Sequence, residues 1–248
     1  MKLANKIALI TGGTSGVGLE AARLFAAEGA QVIIIGADQG RLQAASRALG
    51  SKVLALRADL RTPSALDKVF HEIKQKFGRL DIVFANAGVG LAAPLEAVTE
   101  QQIDEQFAVN VKGIFFTVQK AAPLMTNGAS VVLTTSFLNT VGTPGLSILS
   151  ATKAAVRSLA RSLAAELASR GIRVNAVSPG PISTPFHGKL GLSQDALQAA
   201  AGQIEAKVPL HRFGEAREVA KAALFVASDD AAFMTGSEIV VDGGLTQL

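Results

Sequence analysis

The stretch Thr11-Gly12-Gly13-Thr14-Ser15-Gly16-Val17-Gly18, directly behind the apolar run Ile7-Ala8-Leu9-Ile10, decides the fold. A strand feeding a glycine-rich turn and then a helix is the opening unit of a dinucleotide-binding domain. The glycines at 12, 16 and 18 have separate tasks. One permits the tight turn, one lets backbone approach a pyrophosphate, and one lets the helix pack closely on the strand. A helix beginning near Gly16 directs free N–H groups at phosphates. A glycine trio alone says little; the strand before it and the helix after it give it meaning.

Outward from this turn, short apolar runs alternate with helical patterns. Strands are expected at 7–10, 32–35, 53–56, 82–85, 131–134, 173–177 and 239–241, and helices at 21–28, 63–77, 99–124, 151–169 and 215–227. Several strands read as continuous Val/Ile/Leu without polar alternation, which suits burial on both faces. The expected class is α/β: a single doubly wound Rossmann-type domain over 1–248, its parallel sheet of about seven strands covered by helices on both faces. The irregular region 179–211 starts rich in Pro, Gly and Ser and continues into a helical pattern at 194–207. A substrate lid at 182–210 is expected there. Its Phe186, Leu190, Leu192 and Leu197 form either an apolar pocket wall or the underside that packs the lid down.

Composition excludes several function classes. Of 248 residues 49% are hydrophobic, enough for a substantial core. No apolar run of about 18 residues indicates a membrane span. The early break at Gly12 is too soon for a signal-peptide core, so the expected location is cytoplasmic. The absence of cysteine excludes disulfides and thiolate metal sites, and no metal is expected. A net charge of +4 arises from 24 basic and 20 acidic residues scattered along the chain. Without a concentrated basic face, no nucleic-acid partner is expected.

The pattern Thr11-Gly12-x-x-x-Gly16-x-Gly18 resembles the turn of the short-chain dehydrogenase/reductase family. Further motifs follow in that family's order. Asp59-Leu60 is similar to its adenine-contacting position, Asn86-Ala87-Gly88 to its turn after the fourth strand, and Asn110 to its helix asparagine. Ser136 is similar to its catalytic serine, Lys153 to its lysine, Pro179-Gly180-Pro181-Ile182-Ser183-Thr184 to its nicotinamide-side loop, and Val241-Asp242-Gly243-Gly244 to its C-terminal signature. The resemblance implies hydride transfer between NAD or NADP and a small carbonyl or alcohol, in a homotetramer. Small or apolar residues on the outward faces of the helices at 99–124 and 151–169, among them Ala155, Leu159 and Ala168, suit packing across a two-fold axis. Cofactor contacts are implied for Gly12, Thr14, Ser15, Gly16, Val17, Gly18, Asp38, Asp59, Leu60, Asn86, Ala87, Gly88, Lys153, Pro179, Gly180, Ile182 and Thr184.

One group is missing. The resemblance implies a tyrosine four residues before the lysine as general acid/base, with Ser136 on the substrate carbonyl, Lys153 lowering the tyrosine pKa, and Asn110 holding a relay water. The chain contains no tyrosine, and that slot is Leu149. The flanking residues Pro144-Gly145-Leu146-Ser147 and Ala151-Thr152-Lys153-Ala154-Ala155 fix the register. Leucine neither donates nor accepts a proton, and general acid–base catalysis contributes about 10²–10⁴-fold. Three readings stand open: a cofactor-binding pseudoenzyme, rerouted chemistry with Lys153 as the acid, and an inactivated variant of an active reductase. His187 and His211 are further candidate donors, against the plainer reading as loop residues.

The choice of dinucleotide turns on the end of the second strand, Gly36-Ala37-Asp38. An acidic residue there binds a free 2′-hydroxyl, and an arginine holds a 2′-phosphate. The family's arginine positions are occupied by Ser15 and Ala37, and its aspartate position by Gly36. Asp38 would repel a phosphate, whereas Arg41 or Arg57 would attract one; the balance leans to NAD.

Overall fold

A computed structural model of the chain describes residues 1–50, 53–186, 190 and 194–248. The expected class is observed. A seven-stranded sheet runs in the order β3-β2-β1-β4-β5-β6-β9 with every pairing parallel. Its strands are β1 (Ile7–Thr11), β2 (Gln31–Gly36), β3 (Val53–Arg57), β4 (Leu80–Ala85), β5 (Met125–Thr134), β6 (Arg173–Pro179) and β9 (Glu238–Val241). A small parallel pair, β7 (Ile182–Ser183) with β8 (Gly214–Glu215), closes the base of the irregular region.

Alternation along each strand sorts its side chains into two apolar layers. Leu9, Ile33, Val83, Val131 and Val174 face one way, against α3 (Pro63–Phe77), α5 (Ile114–Ala121) and α6 (Ser147–Ala168). Ala8, Ile10, Val32, Ile34, Phe84 and Val132 face the other, against α1 (Gly16–Ala27), α2 (Gln39–Leu49) and α8 (Ala216–Ala227). Phe25 of α1 stacks on Phe84 of β4 with ring centroids 6.4 Å apart.

The expected helix at 99–124 is built in pieces. A capping box of Thr99 and Gln102 starts α4 (Glu100–Phe107). The next turn widens to a π-helix over Ala108–Gly113 before α5 continues. Such a π-turn inserts an extra residue and re-aims side chains without ending the helix. The helix expected at 151–169 begins earlier, at Ser147, so Leu149 lies in its first turn. Helix α2 escaped the sequence reading, because its weakly apolar face buries only Leu42 and Ala45. In the irregular region, α7 (Gln194–Lys207) is present. His187 and Leu192 lie outside the described residues, as does the side chain of Leu197. Among the described residues no helix is long and apolar enough to cross a membrane.

Candidate active site

The strand order reverses between β1 and β4, and in doubly wound sheets ligands bind in the crevice at that point, beyond the carboxyl ends of the strands. A cleft of about 420 Å³ lies there. Its floor is the glycine turn. Gly12 and Gly13 donate their N–H groups to Ile35 O at 2.9 and 3.3 Å, tying the turn to β2. Gly12 and Gly16 have positive φ of 67° and 52°, which suits residues without a Cβ. Gly18 is required for packing instead: a Cβ there would sit 2.3 Å from Gly12 O. Ser15 precedes α1 without capping it through its side chain, so the first-turn N–H groups lack intrahelical acceptors. Gly12, Thr14, Ser15, Gly16 and Val17 line the cleft, whereas Gly18 supports the turn from behind.

Thr11 bolts this floor to the neighbouring strand. Its Oγ1 accepts from the backbone N–H groups of Asn86 and Ala87, each at 3.0 Å, while Asn86 Nδ2 donates to Thr11 O at 3.2 Å. Asn86, Ala87 and Gly88 therefore reach the cleft as one rigid turn. On the far wall, Pro179, Gly180, Ile182 and Thr184 also line it. A Cβ on Gly16 would lie 3.4 Å from Thr184, so this segment arches back over the glycine turn. A Cβ on Gly180 would lie 2.5 Å from Asp242 Cα, which explains the glycine there and seats the C-terminal Asp242-Gly243-Gly244 against the loop.

The outer end of the cleft is charged. Asp59 and Leu60 line it, with Arg41, Arg61 and Glu105. Arg61 grips Asp59 through Nε at 3.0 Å to both carboxylate oxygens and Nη2 at 2.6 Å. These hydrogen bonds hold the Asp59 carboxyl below the usual carboxylate range. Asp38 behaves differently from the sequence expectation. Its Oδ1 accepts from Arg41 N at 2.7 Å as the N-cap of α2, and Asp38 is not among the residues lining the cleft. A helix N-cap role was hidden from the sequence reading because α2 itself was missed.

The inner end holds Ser136, Leu149 and Lys153 together. Lys153 is buried, and its Nζ donates to Thr134 O at 3.0 Å. Burial pushes its pKa down from 10.5 to about 8, since desolvation disfavours the charged form. Ser136 Oγ accepts from Leu138 N at 3.3 Å, which leaves its proton to donate into the cleft. The residues around the serine are anchored: Thr135 Oγ1 and Asn139 Nδ2 both donate to Glu238 Oε1, and Arg157 pairs with Glu238 Oε2 at 3.4 Å. Nothing in the sequence pattern flagged this network, because Glu238 and the residues it holds are about a hundred positions apart.

Asn110 is placed otherwise than expected. Fully buried in the π-turn, its Oδ1 accepts from Val89 N at 2.8 Å, and its Nδ2 donates to Val89 O at 2.8 Å and Thr152 Oγ1 at 3.1 Å. Both amide protons are committed, so the side chain braces the 86–89 turn against α6 and does not line the cleft. Leu149 is 3% exposed. A Cβ on Gly90 would lie 2.7 Å from Phe186 Cζ and 3.1 Å from the Cδ2 atoms of both Leu149 and Leu190. These side chains converge into one apolar wall, and Leu190 O accepts from Ala92 N at 3.0 Å to hold the segment in place. His211 is exposed and lies apart from the cleft lining.

Comparison with known proteins agrees with this geometry. A family model described as enoyl-(acyl carrier protein) reductase matches residues 12–246. The chain is 45% identical to the oxidoreductase asL5 of Sarocladium schorii, over 100% of this chain and 98% of that one. It is 38% identical to the 3-oxoacyl-(acyl-carrier-protein) reductase FabG of Thermotoga maritima, with 99% of each covered. An NADP-dependent (R)-specific alcohol dehydrogenase of Lentilactobacillus kefiri is 34% identical over 99% of this chain and 98% of its own. Among solved structures, a short-chain type dehydrogenase/reductase from Mycobacterium marinum superposes with a TM-score of 0.92 at 31% identity, covering 100% of this chain and 98% of that one. The 3-ketoacyl-(acyl-carrier-protein) reductase of Brucella melitensis, complexed with NADH, gives 0.90 at 30% identity, covering 98% and 99%. Motif order, sheet topology and full-length similarity converge: the chain belongs to the short-chain dehydrogenase/reductase family of oxidoreductases.

Proposed function

We propose that this protein binds a nicotinamide dinucleotide in the cleft and is an oxidoreductase whose ordinary carbonyl chemistry is impaired by leucine at 149. The observation that carries the reading is the juxtaposition of Ser136, Leu149 and Lys153 at the inner end of a cleft floored by the glycine turn. The fit to a dinucleotide rests on close backbone: Gly12 and Gly16 place no side chain where the turn meets the cleft, and the α1 N-terminus offers N–H donors to phosphate. When bound, the reduced nicotinamide supplies a hydride. Ser136 orients an acceptor oxygen by hydrogen bonding, Lys153 places positive charge beneath it, and Leu149 excludes water and provides no proton. Loss of a positioned acid removes about 10²–10⁴-fold in rate.

The charged end of the cleft favours NADP over NAD. Asp38 caps α2 and its Oδ1 also lies 3.6 Å from Arg41 Nε, while Arg41, in the first turn of α2, lines the cleft beside Gly36 and Ala37. A guanidinium there suits a 2′-phosphate. We place the protein in the cytoplasm as a homotetramer; on α6, Ala155 is half-buried and Ala168 exposed, whereas Leu159 already packs partly on the core. Sedimentation as a monomer at micromolar concentration would contradict that assembly.

The test is a fluorescence and thermal-shift titration with NADPH and NADH, followed by initial rates on a ketone panel for the parent and Leu149→Tyr. Binding with a rate gain of about 10²–10⁴-fold in the variant is the expected result. Absence of binding of either dinucleotide at millimolar concentration would sink the reading. Leu149→Tyr that slows an already active parent would instead favour rerouted chemistry.

A further inference from the structure

We propose that the substrates suited to this site are conjugated acceptors whose reduced form is a delocalised oxyanion, a phenolate or a 1,3-dicarbonyl enolate, held by Ser136 and Lys153 against the apolar side chains of Leu149 and Phe186. The inference rests on the proposed dinucleotide site and adds the class of acceptor.

Proton demand separates the acceptors this site suits from those it does not. Reducing an isolated ketone leaves an alkoxide, roughly as basic as hydroxide. It needs a proton as it forms, and Leu149 offers none. A quinone methide or an alkylidene 1,3-dicarbonyl behaves differently. Hydride adds to the terminal carbon, the C=C π pair moves through the conjugated system, and the negative charge ends on oxygen. The reduced nicotinamide becomes the oxidised form, and the product is the oxyanion itself. A phenolate, with a conjugate acid of pKa about 10, is about six orders of magnitude less basic than an alkoxide. It leaves the site as the anion and takes its proton from bulk water.

The cleft has the parts to hold such an anion. Lys153 spends one of its three N–H donors on Thr134 O and lies 3.6 Å from the point where a Cβ of Gly88 would be. Ser136 keeps its hydroxyl proton. Opposite them, Leu149 and Phe186 give the cleft an apolar side, and both pack closely on Gly90, which leaves no room for a Cβ behind them. Delocalised anions are weakly hydrated at their carbon skeleton, so an apolar wall with two donors on one edge favours them over compact, strongly hydrated anions.

The experiment has a cofactor-free arm and a turnover arm. In the first, 4-nitrophenol is titrated into the parent, Lys153→Met and Ser136→Ala at several pH values, following the phenolate absorbance. The expected result is at least a tenfold tilt of the bound probe toward phenolate in the parent, lost in Lys153→Met and reduced in Ser136→Ala, with circular dichroism confirming that each variant is folded. In the second, 3-benzylidene-2,4-pentanedione and the isolated ketone 4-phenylbutan-2-one are offered with NADPH. The parent is expected to reduce the conjugated acceptor at least a hundredfold faster. Leu149→Tyr should close that gap by raising the ketone rate about 10²–10⁴-fold. Bound probe without a tilt, a tilt that survives Lys153→Met, or a parent that reduces both acceptors alike would each overturn the proposal. Loss of dinucleotide binding by thermal shift, alongside an intact phenolate tilt, would remove the proposed function and leave the oxyanion site standing.

Discussion

Replacing Lys153 with methionine should make the fold more stable at neutral pH and less stable at high pH. Burial lowers the lysine pKa from 10.5 to about 8. Each unit corresponds to 1.36 kcal/mol, so the charged lysine costs the folded state about 3 kcal/mol. The sign follows from proton counting. Below pH 8 both states carry the proton and the full cost applies. Between about 8 and 10.5 the unfolded chain holds more protons than the folded one, so stability of the parent rises with pH. Above that window the cost is gone.

Methionine matches the length of the lysine stem and carries no charge, but it cannot donate to Thr134 O, which Lys153 Nζ meets at 3.0 Å. An unpaired buried carbonyl costs about 1–3 kcal/mol. The variant is therefore expected to gain about 0–2 kcal/mol at pH 7 and to lose about 1–3 kcal/mol by pH 10.5. The difference between those two values, about 3 kcal/mol, is independent of how the carbonyl relaxes. Urea unfolding of parent and variant at pH 7, 9 and 10.5 measures it, and other lysines cancel in the difference. A stability difference that stays flat across this range, or that moves in the variant's favour as pH rises, would refute the buried-charge account.

Three further perturbations probe the frame and the charged end. Gly18→Ala brings a Cβ to 2.3 Å from Gly12 O, a clash with backbone that should cost about 1–3 kcal/mol and abolish dinucleotide binding; an unchanged melting temperature with normal binding would contradict it. Thr11→Val removes the acceptor for Asn86 N and Ala87 N and should lower stability by roughly 2–4 kcal/mol, read by chemical denaturation. Arg41→Ala should weaken NADPH about tenfold, the loss of roughly one charge-assisted contact, with NADH little changed; equal loss for both would show that Arg41 does not read the 2′ position.

The sheet was legible because most of its strands carry apolar runs and its turn chemistry is punctuated by glycine, whereas β5 starts at Met125, six residues before its expected limit, where Thr126, Asn127 and Gly128 hide it. Ile7–Thr11 and Gln31–Gly36 emerge within a residue or two of their expected limits. Helix α2 was not legible, since only Leu42 and Ala45 mark its inner face, and a helix resting lightly on a sheet edge needs little periodicity. Missing it hid the N-cap role of Asp38. The π-turn at 108–113 was equally invisible, because an extra residue in a helix leaves no compositional mark. What Asn110 does in the fold depends on Val89 and Thr152, which only the fold brings within reach.

The hydrogen-bond pattern also explains how the inner cleft keeps its form around a leucine. Residues 134, 135 and 136 point in turn to different partners. Thr134 offers its carbonyl to Lys153, Thr135 reaches Val177 O and Glu238, and Ser136 caps the short turn at Phe137–Asn139. On α6, Thr152 ties Leu149 O at 2.7 Å to Asn110. The bonds that place Lys153 and Ser136 pass through backbone and through neighbouring side chains. Residue 149 enters this network only by its carbonyl, which any amino acid supplies. Its side chain answers instead to the apolar wall of Phe186 and Leu190. The hydrogen-bonded frame and the side chain at 149 are therefore separable: a leucine there satisfies packing without loosening the serine or the lysine.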